Sequence, residues 1–253
     1  MSPVRAAQSV DPTYAGLLRA GGVAAWLVAS LTVIEVFIFV LYPQPSTVNG
    51  WFELFQGSPF IGLLDFWGLE LPMYAMFILV FLAVYVVLKS VAPGSMAIAL
   101  TLALLGIAIF FAINNPFTML ALSSKHVAAT TDLQRNTLLA AGEAVLANTN
   151  QRAVGGFNIG LLLVSTAGLV VSLVMLQASS FSRMTAYVGI LAFGLSLGDY
   201  LRQALTTSAV IALMVILPGA LFIVVWFTLV GGRLLHLGRL GGNLPKIRAA
   251  SPL

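Results

Sequence analysis

The chain has 253 residues, of which 60% are hydrophobic and 8% are charged, and its formal net charge is +4. Soluble domains carry about 25% charged residues, so this composition excludes an ordinary soluble protein and requires lipid as the solvent. The absence of cysteine excludes disulfides, thiolate metal sites and cysteine nucleophiles.

The mean hydropathy of +1.02 indicates a chain that is apolar along most of its length. A helix of about 20 apolar residues spans the hydrocarbon core of a membrane. The predicted fold class is therefore all-α, an integral membrane bundle of about six transmembrane helices. The runs long enough to span lie at residues 20–42, 65–88, 95–113, 157–176, 184–201 and 208–230.

The two ends of the chain are expected to lie outside this bundle. Residues 1–19 lack a signal-peptide cleavage site and are expected to form a short cytoplasmic tail. Residues 231–253 are basic and contain Gly and Pro, which is typical of a loosely ordered cytoplasmic tail. The transmembrane domain is accordingly predicted at residues 20–230.

The segment from Gln44 to Pro59 connects the first two spans and is rich in aromatic residues. Trp51, Phe52 and Phe55 in this segment are typical of side chains that lie at the lipid headgroups.

A polar insert at residues 114–155 separates the third and fourth spans. Thr131 precedes Gln134 by three residues, a capping-box spacing that predicts a helix over 132–147. Its apolar stripe holds Leu138, Leu139, Val145 and Leu146, with Gly142 along the middle. The insert therefore contains an amphipathic helix.

Basic residues predict the orientation in the membrane, because Lys and Arg are enriched in cytoplasmic loops. One side would hold Arg5, Arg19, Lys89, Arg183, Arg233, Arg239, Lys246 and Arg248, and the other Lys125, Arg135, Arg152 and Arg202. This asymmetry favours both termini in the cytoplasm. Of the eight acids, Asp11 alone falls on the cytoplasmic side, so the outer face is acidic.

Glu35 is the sharpest single signal, because it lies inside the outer half of the first span. An acid at the centre of a membrane helix costs about 2.5–3.5 kcal/mol on insertion scales. It is expected to face protein, a partner or a water-filled cavity. One interpretation is a neutral acid that is hydrogen-bonded between helices, and the other is a ligand or proton site.

Asp65 and Glu70 flank Trp67 near the outer end of the second span. Asp65 is expected to be a solvated helix end. Glu70 is the better ligand candidate, because Pro72 removes a backbone donor beside it.

Three further polar residues are expected at the same depth. Asp199 and Arg202 are spaced for an i, i+3 ion pair, either at a solvated helix end or lining the cavity of Glu35. Asn114, followed by Asn115 and Pro116, is interpreted as a helix stop that also supplies neutral hydrogen-bonding groups.

The insert helix adds two charged candidates. Arg135 projects into the apolar stripe and Glu143 lies at its edge. Arg135 is expected either to point inward over the outer mouth of the bundle, towards an acid, or to extend along the leucines to water.

The sequence contains little that supports a haem, metal, nucleotide-binding or hydrolase site. His126 and His236 lie far apart and outside the apolar runs, so neither haem ligation in the bilayer nor a metal site is expected, and no cofactor is predicted. Metalloprotease, nucleotide-binding and serine-hydrolase motifs do not occur. The basic charge reports topology, and no nucleic-acid partner is expected.

The chain from about Gly16 to Tyr200 resembles the family of bacterial multi-pass membrane proteins catalogued as domain of unknown function 4386. The resemblance rests on residues 114–116, on the insert segment 135–146, on 157–176 and on 181–190. It implies a bacterial inner-membrane protein of about six helices and transfers no catalytic residue.

Three functions stay open on the sequence. The first is an outward-facing polar cavity that binds a small ligand, cation or proton for transport or sensing. The second is a structural or accessory subunit of a membrane complex, or a homo-oligomer. The third is an enzyme acting on a lipid or isoprenoid. The binding candidates are Glu35, Glu70, Asn114, Arg135, Glu143, Asp199 and Arg202.

Overall fold

A computed structural model describes residues 11–149, 158–205 and 208–242. Within these ranges all regular structure is helical, which confirms the all-α class. A short 3-10 turn at Pro12–Tyr14 leads into the first helix, and a π-type turn at Leu64–Gly68 joins α3 to α4. The helices are α1 Ala15–Leu41, α2 Val48–Gly57, α3 Pro59–Leu63, α4 Glu70–Leu88, α5 Pro93–Ile113, α6 Pro116–Ala128, α7 Asp132–Thr149, α8 Ile159–Met175, α9 Arg183–Leu205 and α10 Ala209–Gly242.

The long helices form a closed ring in the described part of the chain. Following the ring, α1 packs against α4, α4 against α5, α5 against α8, α8 against α9, α9 against α10, and α10 against α1. Neighbours run in opposite directions, so that the start of α8 meets the end of α5 where Gly160 faces Gly106. The core inside the ring is aromatic, with Phe77 stacked on Phe227 at 5.2 Å between ring centroids.

The first and last helices close the ring through small residues. A Cβ placed on Gly22 of α1 would lie 2.9 Å from the carbonyl oxygen of Gly231 in α10, so the two backbones touch. Arg19 Nε donates to the Gly238 carbonyl oxygen at 3.1 Å. The expectation of a loose tail from Gly231 onward is therefore wrong for residues 231–242, because this stretch is a packed part of α10. Residues 1–10 and 243–253 lie outside the described residues.

Five helical segments of the described chain are long and apolar enough to span a membrane, namely Pro12–Leu41, Pro59–Leu88, Pro93–Ala128, Arg183–Gln203 and Val210–Gly241. The apolar helix α8 is shorter than these. Large apolar side chains such as Phe37, Ile98 and Met214 are more than half exposed on the outside of the bundle. Such a surface fits lipid, and the chain is an all-α membrane bundle.

Four short helices, α2, α3, α6 and α7, form a helical cap at one end of the bundle. Trp51, Phe52 and Phe55 of α2 are at most 1% exposed and pack against α6, α7 and the π-type turn. These aromatics are therefore not exposed to lipid headgroups as the sequence suggested, because they form the core of the cap. Helix α6 was not predicted at all. Asn115 caps its first turn by accepting from Phe117 N at 3.0 Å.

Helix α7 confirms the predicted insert helix. Gln134 N donates to Thr131 Oγ1 at 3.3 Å, while Gln134 Oε1 accepts from Thr130 N at 3.1 Å. This is a capping box whose return bond lies one residue early. Leu146 is fully buried, and a Cβ on Gly142 would overlap Val48 of α2. The apolar stripe therefore faces the cap helices α2 and α6 and not the mouth of the bundle.

Candidate functional site

The second span is broken where the chain enters the bundle. Trp67, inside the π-type turn, has φ 65° and ψ 8°, a left-handed conformation that costs a bulky residue about 1–3 kcal/mol. A Cβ on the next residue, Gly68, would overlap the Leu63 carbonyl oxygen, so this tight turn requires glycine. The predicted span at 65–88 is confirmed within Pro59–Leu88, and its helix is broken at the turn before α4. Pro72 lies in the first turn of α4, where proline is tolerated.

Asp65 lies in this turn, and its side chain is enclosed. Its exposed fraction is 1%, and neither carboxylate oxygen has a hydrogen-bond partner within the described residues. The Gln44 amide reaches the same residue but donates to its backbone oxygen, at 3.0 Å. Glu35 of α1 lies within electrostatic range of the Asp65 carboxylate. Asp65 is therefore not the solvated helix end expected from the sequence, because the cap covers it.

Glu70 and two tyrosines continue this polar region across the end of the bundle. Glu70 is 6% exposed in the first turn of α4, where the helix dipole favours a negative charge. The buried Tyr74 lies one turn further and within electrostatic range of Glu70, Glu35 and Tyr200. Tyr200 of α9 donates from its hydroxyl to the Asn158 carbonyl oxygen at 2.9 Å.

Asn114 completes this region at the end of α5. It is fully buried, and its Nδ2 donates to the Phe110 carbonyl oxygen at 3.2 Å. Its Oδ1 has no donor within the described residues. Two other buried donors, the ring N–H of Trp67 and the side-chain amide of Asn158, also have no hydrogen-bond partner within the described residues. We call this set the polar belt: Glu35, Asp65, Trp67, Glu70, Tyr74, Asn114, Asn158 and Tyr200.

The predicted ion pair on α9 is present. Arg202 Nε lies 2.6 Å from Asp199 Oδ1, and Gln203 donates to the other carboxylate oxygen at 2.8 Å. The two charged side chains are only 12% and 17% exposed. The Asp199 carboxylate is therefore bonded to residues of its own helix. Its neighbour in sequence, Tyr200, belongs to the polar belt.

Arg135 and Glu143 do not join the belt. Arg135 is 51% exposed, donates to the Ala129 carbonyl oxygen at 3.3 Å, and lies 3.7 Å from Asp132. The expectation that it points inward over the bundle is therefore wrong. Its guanidinium lines a shallow cleft on the surface of the cap. Glu143 is exposed on α7, outside that cleft.

Glu35 and Glu70 thus lie within electrostatic range of Tyr74, and Asn114 is linked to Tyr74 through Phe110. Asp65, Tyr74 and Tyr200 were not among the sequence candidates. Within the described residues no group of three His, Cys, Asp or Glu side chains has the arrangement of a metal site. The chemistry available to the belt is hydrogen bonding and proton exchange on carboxyl and phenol groups.

Comparisons of the chain with protein-family models, with curated proteins and with solved structures found no match. What the fold and the belt define is a class, a polytopic α-helical membrane protein with buried acids at one end of its bundle.

Proposed function

We propose that the polar belt binds and releases a proton, and that this exchange serves transport or sensing of a small ligand at the outer face. The observation that carries the proposal is Asp65, a carboxyl group that is 1% exposed and lies within electrostatic range of a second acid, Glu35. An isolated charged carboxylate is costly in such surroundings, and protonation removes that cost. Ionisable residues within membrane spans mark proton relays and ligand paths.

The neighbouring acid strengthens this proposal. Glu35 lies within electrostatic range of Asp65, so two negative charges would repel each other in a region shielded from water. Charge on one acid therefore disfavours charge on the other. Tyr74 lies within electrostatic range of both Glu35 and Tyr200, so phenol groups extend the polar belt from the acids towards α9.

The kink supplies a place where this site can open. Trp67 holds a strained backbone conformation next to Asp65, and strained residues in helix-breaking turns cluster at functional sites. Ionisation of Asp65 would favour a conformation that admits water or a cation to the turn. The non-helical backbone of Phe66 and Trp67 is the proposed place of that change.

Infrared difference spectroscopy on the full chain in lipid nanodiscs tests the proton site. Wild type is expected to show a protonated buried carboxyl band that disappears as the pH is raised. Asp65→Asn should remove this band, while Glu143→Gln, an exposed acid on the cap, should leave it in place. Wild type without such a band, or an unchanged band in Asp65→Asn, would contradict the proposal.

Proton flux into liposomes tests whether the site serves transport. Wild type is expected to pass protons together with a ligand drawn from a panel of small polar solutes. Glu35→Gln and Asp65→Asn should each reduce that flux at least tenfold, which is about 1.4 kcal/mol. If wild type is active and both variants match it, the site assignment is wrong.

We further propose six crossings with both termini in the cytoplasm of a bacterial cell, and membership of the family resembled by the sequence. Five segments qualify on length and hydropathy. Helix α8 has 17 residues, at the lower limit of about 17–25 for a spanning helix. It connects the cap end to the opposite end between α5 and α9, so a crossing by α8 keeps both termini on one side.

A second function, an accessory or oligomeric subunit, has one supporting observation. Within the described residues, a Cβ placed on Gly194 or Gly198 of α9 would meet no atom of another helix within 4 Å, so this GxxxG spacing makes no helix contact there. Such spacings permit close helix contact in membranes. Native mass spectrometry of wild type and Gly194→Leu separates the cases: a stoichiometric complex lost in the variant favours the subunit, and a lone wild-type chain counts against it.

A further inference from the structure

The cap carries a second site that is separate from the polar belt. A cleft of about 280 Å³ opens between α2, α6 and α7, and its lining includes Phe52, Glu53, Gln56, His126 and Arg135. Its volume is near the lower end of small-molecule sites, which begin at about 300 Å³. Phe52 is 1% exposed and touches the His126 ring at 5.1 Å between centroids, so the base of the cleft is fixed.

One acidic and one basic side chain, from different helices, line this cleft. Glu53 belongs to α2 and Arg135 to α7, and within the described residues these two do not form an ion pair with each other. Arg135 uses part of its guanidinium on Asp132 and the Ala129 carbonyl, but a guanidinium has five N–H donors. Donors therefore remain for an anion. Both charged side chains are exposed and accessible from solvent.

The arrangement defines the chemistry of a ligand. An oxyanion fits the side of Arg135, since planar guanidinium donors match phosphate and carboxylate geometry. A primary ammonium fits the side of Glu53, with the Gln56 amide as a further acceptor. Val127, which is 61% exposed, lines the cleft with apolar surface for the short carbon linker between these two charges.

The position of the cap favours a phosphate as the oxyanion. Helix α2 follows soon after the end of α1, and α6 follows directly after the end of α5, so the cleft lies just beyond two membrane helices. That depth corresponds to the headgroup region of the bilayer. We infer that the cap cleft binds a phosphate–ammonium zwitterion, the chemistry of an ethanolamine headgroup, with Arg135 holding the phosphate and Glu53 the ammonium.

Isothermal titration on the full chain in phosphatidylcholine nanodiscs tests the two contacts separately. The probes are phosphoethanolamine and ethyl phosphate, which lacks the ammonium. Arg135→Gln is expected to weaken both about tenfold, while Glu53→Gln should weaken phosphoethanolamine about tenfold and leave ethyl phosphate unchanged. Matched controls are Lys125→Gln and Glu143→Gln, which remove a cation and an acid on the same cap but outside the cleft lining.

A lipid arm identifies the source of the zwitterion. Native mass spectrometry after exchange into equimolar phosphatidylethanolamine and phosphatidylcholine should show ethanolamine lipid enriched on wild type. Glu53→Gln should abolish that enrichment, because the choline headgroup has no N–H for Glu53 to accept. Enrichment without binding of free phosphoethanolamine assigns the site to a lipid headgroup. Binding of free phosphoethanolamine without enrichment assigns it to a soluble zwitterion.

The inference is overturned if wild type neither binds phosphoethanolamine nor prefers the ethanolamine lipid. It is also overturned if the two control variants lose binding as much as Glu53→Gln and Arg135→Gln do. Melting temperatures should match wild type in all four variants, because the replaced side chains are exposed or half-exposed.

Discussion

Tyr74 of α4 stacks on Phe110 of α5, with ring centroids 3.6 Å apart and ring planes 10° from parallel. The Phe110 ring also packs edge-to-face with the Trp67 ring, with centroids 5.7 Å apart. The backbone carbonyl of Phe110 accepts a hydrogen bond from the Asn114 side-chain amide. Phe110 therefore joins the kink and the tyrosine through its ring, and the amide of the polar belt through its backbone carbonyl.

Phe110→Ala is expected to destabilise the protein by about 3–5 kcal/mol, the usual cost of removing a fully buried phenylalanine. Both ring contacts of the belt are lost at once. The control is Phe111→Ala, because Phe111 is its neighbour but is 40% exposed on the lipid side. Reversible unfolding in detergent compares the two, and equal losses would contradict the central place of Phe110.

The kink at Trp67 can be tested by comparing the unfolding free energies of Trp67→Gly and Trp67→Ala. In a regular helix Ala is more stable than Gly by about 1 kcal/mol. At φ 65° the order should reverse, because a Cβ costs about 1–2 kcal/mol in the left-handed region. Trp67→Gly is therefore expected to be more stable than Trp67→Ala, although both lose the contact with Phe110. Unfolding free energies measured side by side decide this, and the ordinary helical order would exclude the kink.

Gly142 tests how the cap is assembled. An Ala there would overlap Val48 of α2, and overpacking costs about 1–3 kcal/mol, more than the roughly 0.5–1 kcal/mol that Ala gains over Gly in a helix. The matched change is Gly57→Ala on α2, where a Cβ meets nothing within 4 Å. Hydrogen exchange should become faster in α2 and α7 for Gly142→Ala only. Faster exchange in both variants, or in neither, would contradict this packing.

The absence of cysteine makes the orientation directly measurable, since each introduced cysteine is the only one. Leu133→Cys places a thiol on α7, where the side chain is 78% exposed, and Gly94→Cys places one in the first turn of α5. With the cap outside the cell, a membrane-impermeant maleimide should label position 133 in intact spheroplasts and position 94 only after permeabilisation. The reverse pattern would invert the proposed topology.

Hydropathy and capping patterns predicted a large part of the helical frame. Helix α5 was expected at 95–113 and lies at Pro93–Ile113, and the capping box correctly placed the start of α7. These features depend on local chemistry, which is visible in a single stretch of sequence. The all-α membrane class follows from the same information.

The cap and the kink could not be predicted from local sequence patterns. An aromatic-rich segment is favourable both at lipid headgroups and in a protein core, so the location of Trp51 and Phe52 depended on α6 and α7. The burial of Asp65 has the same origin. One signal was available for α6: Asn115 followed by Pro116 is a helix stop, but it is also a capping residue followed by proline at the first helical position.

The contact between Gly22 and Gly231 also determines when the bundle can be completed during synthesis. Helix α1 enters the membrane first, but the surface that covers it belongs to α10, the last helix of the ring. Until α10 is inserted, the glycine face of α1 is open to lipid and to other helices. The final membrane insertion step therefore closes the whole ring, and a chain that stops before Gly231 leaves both α1 and α9 without their shared neighbour.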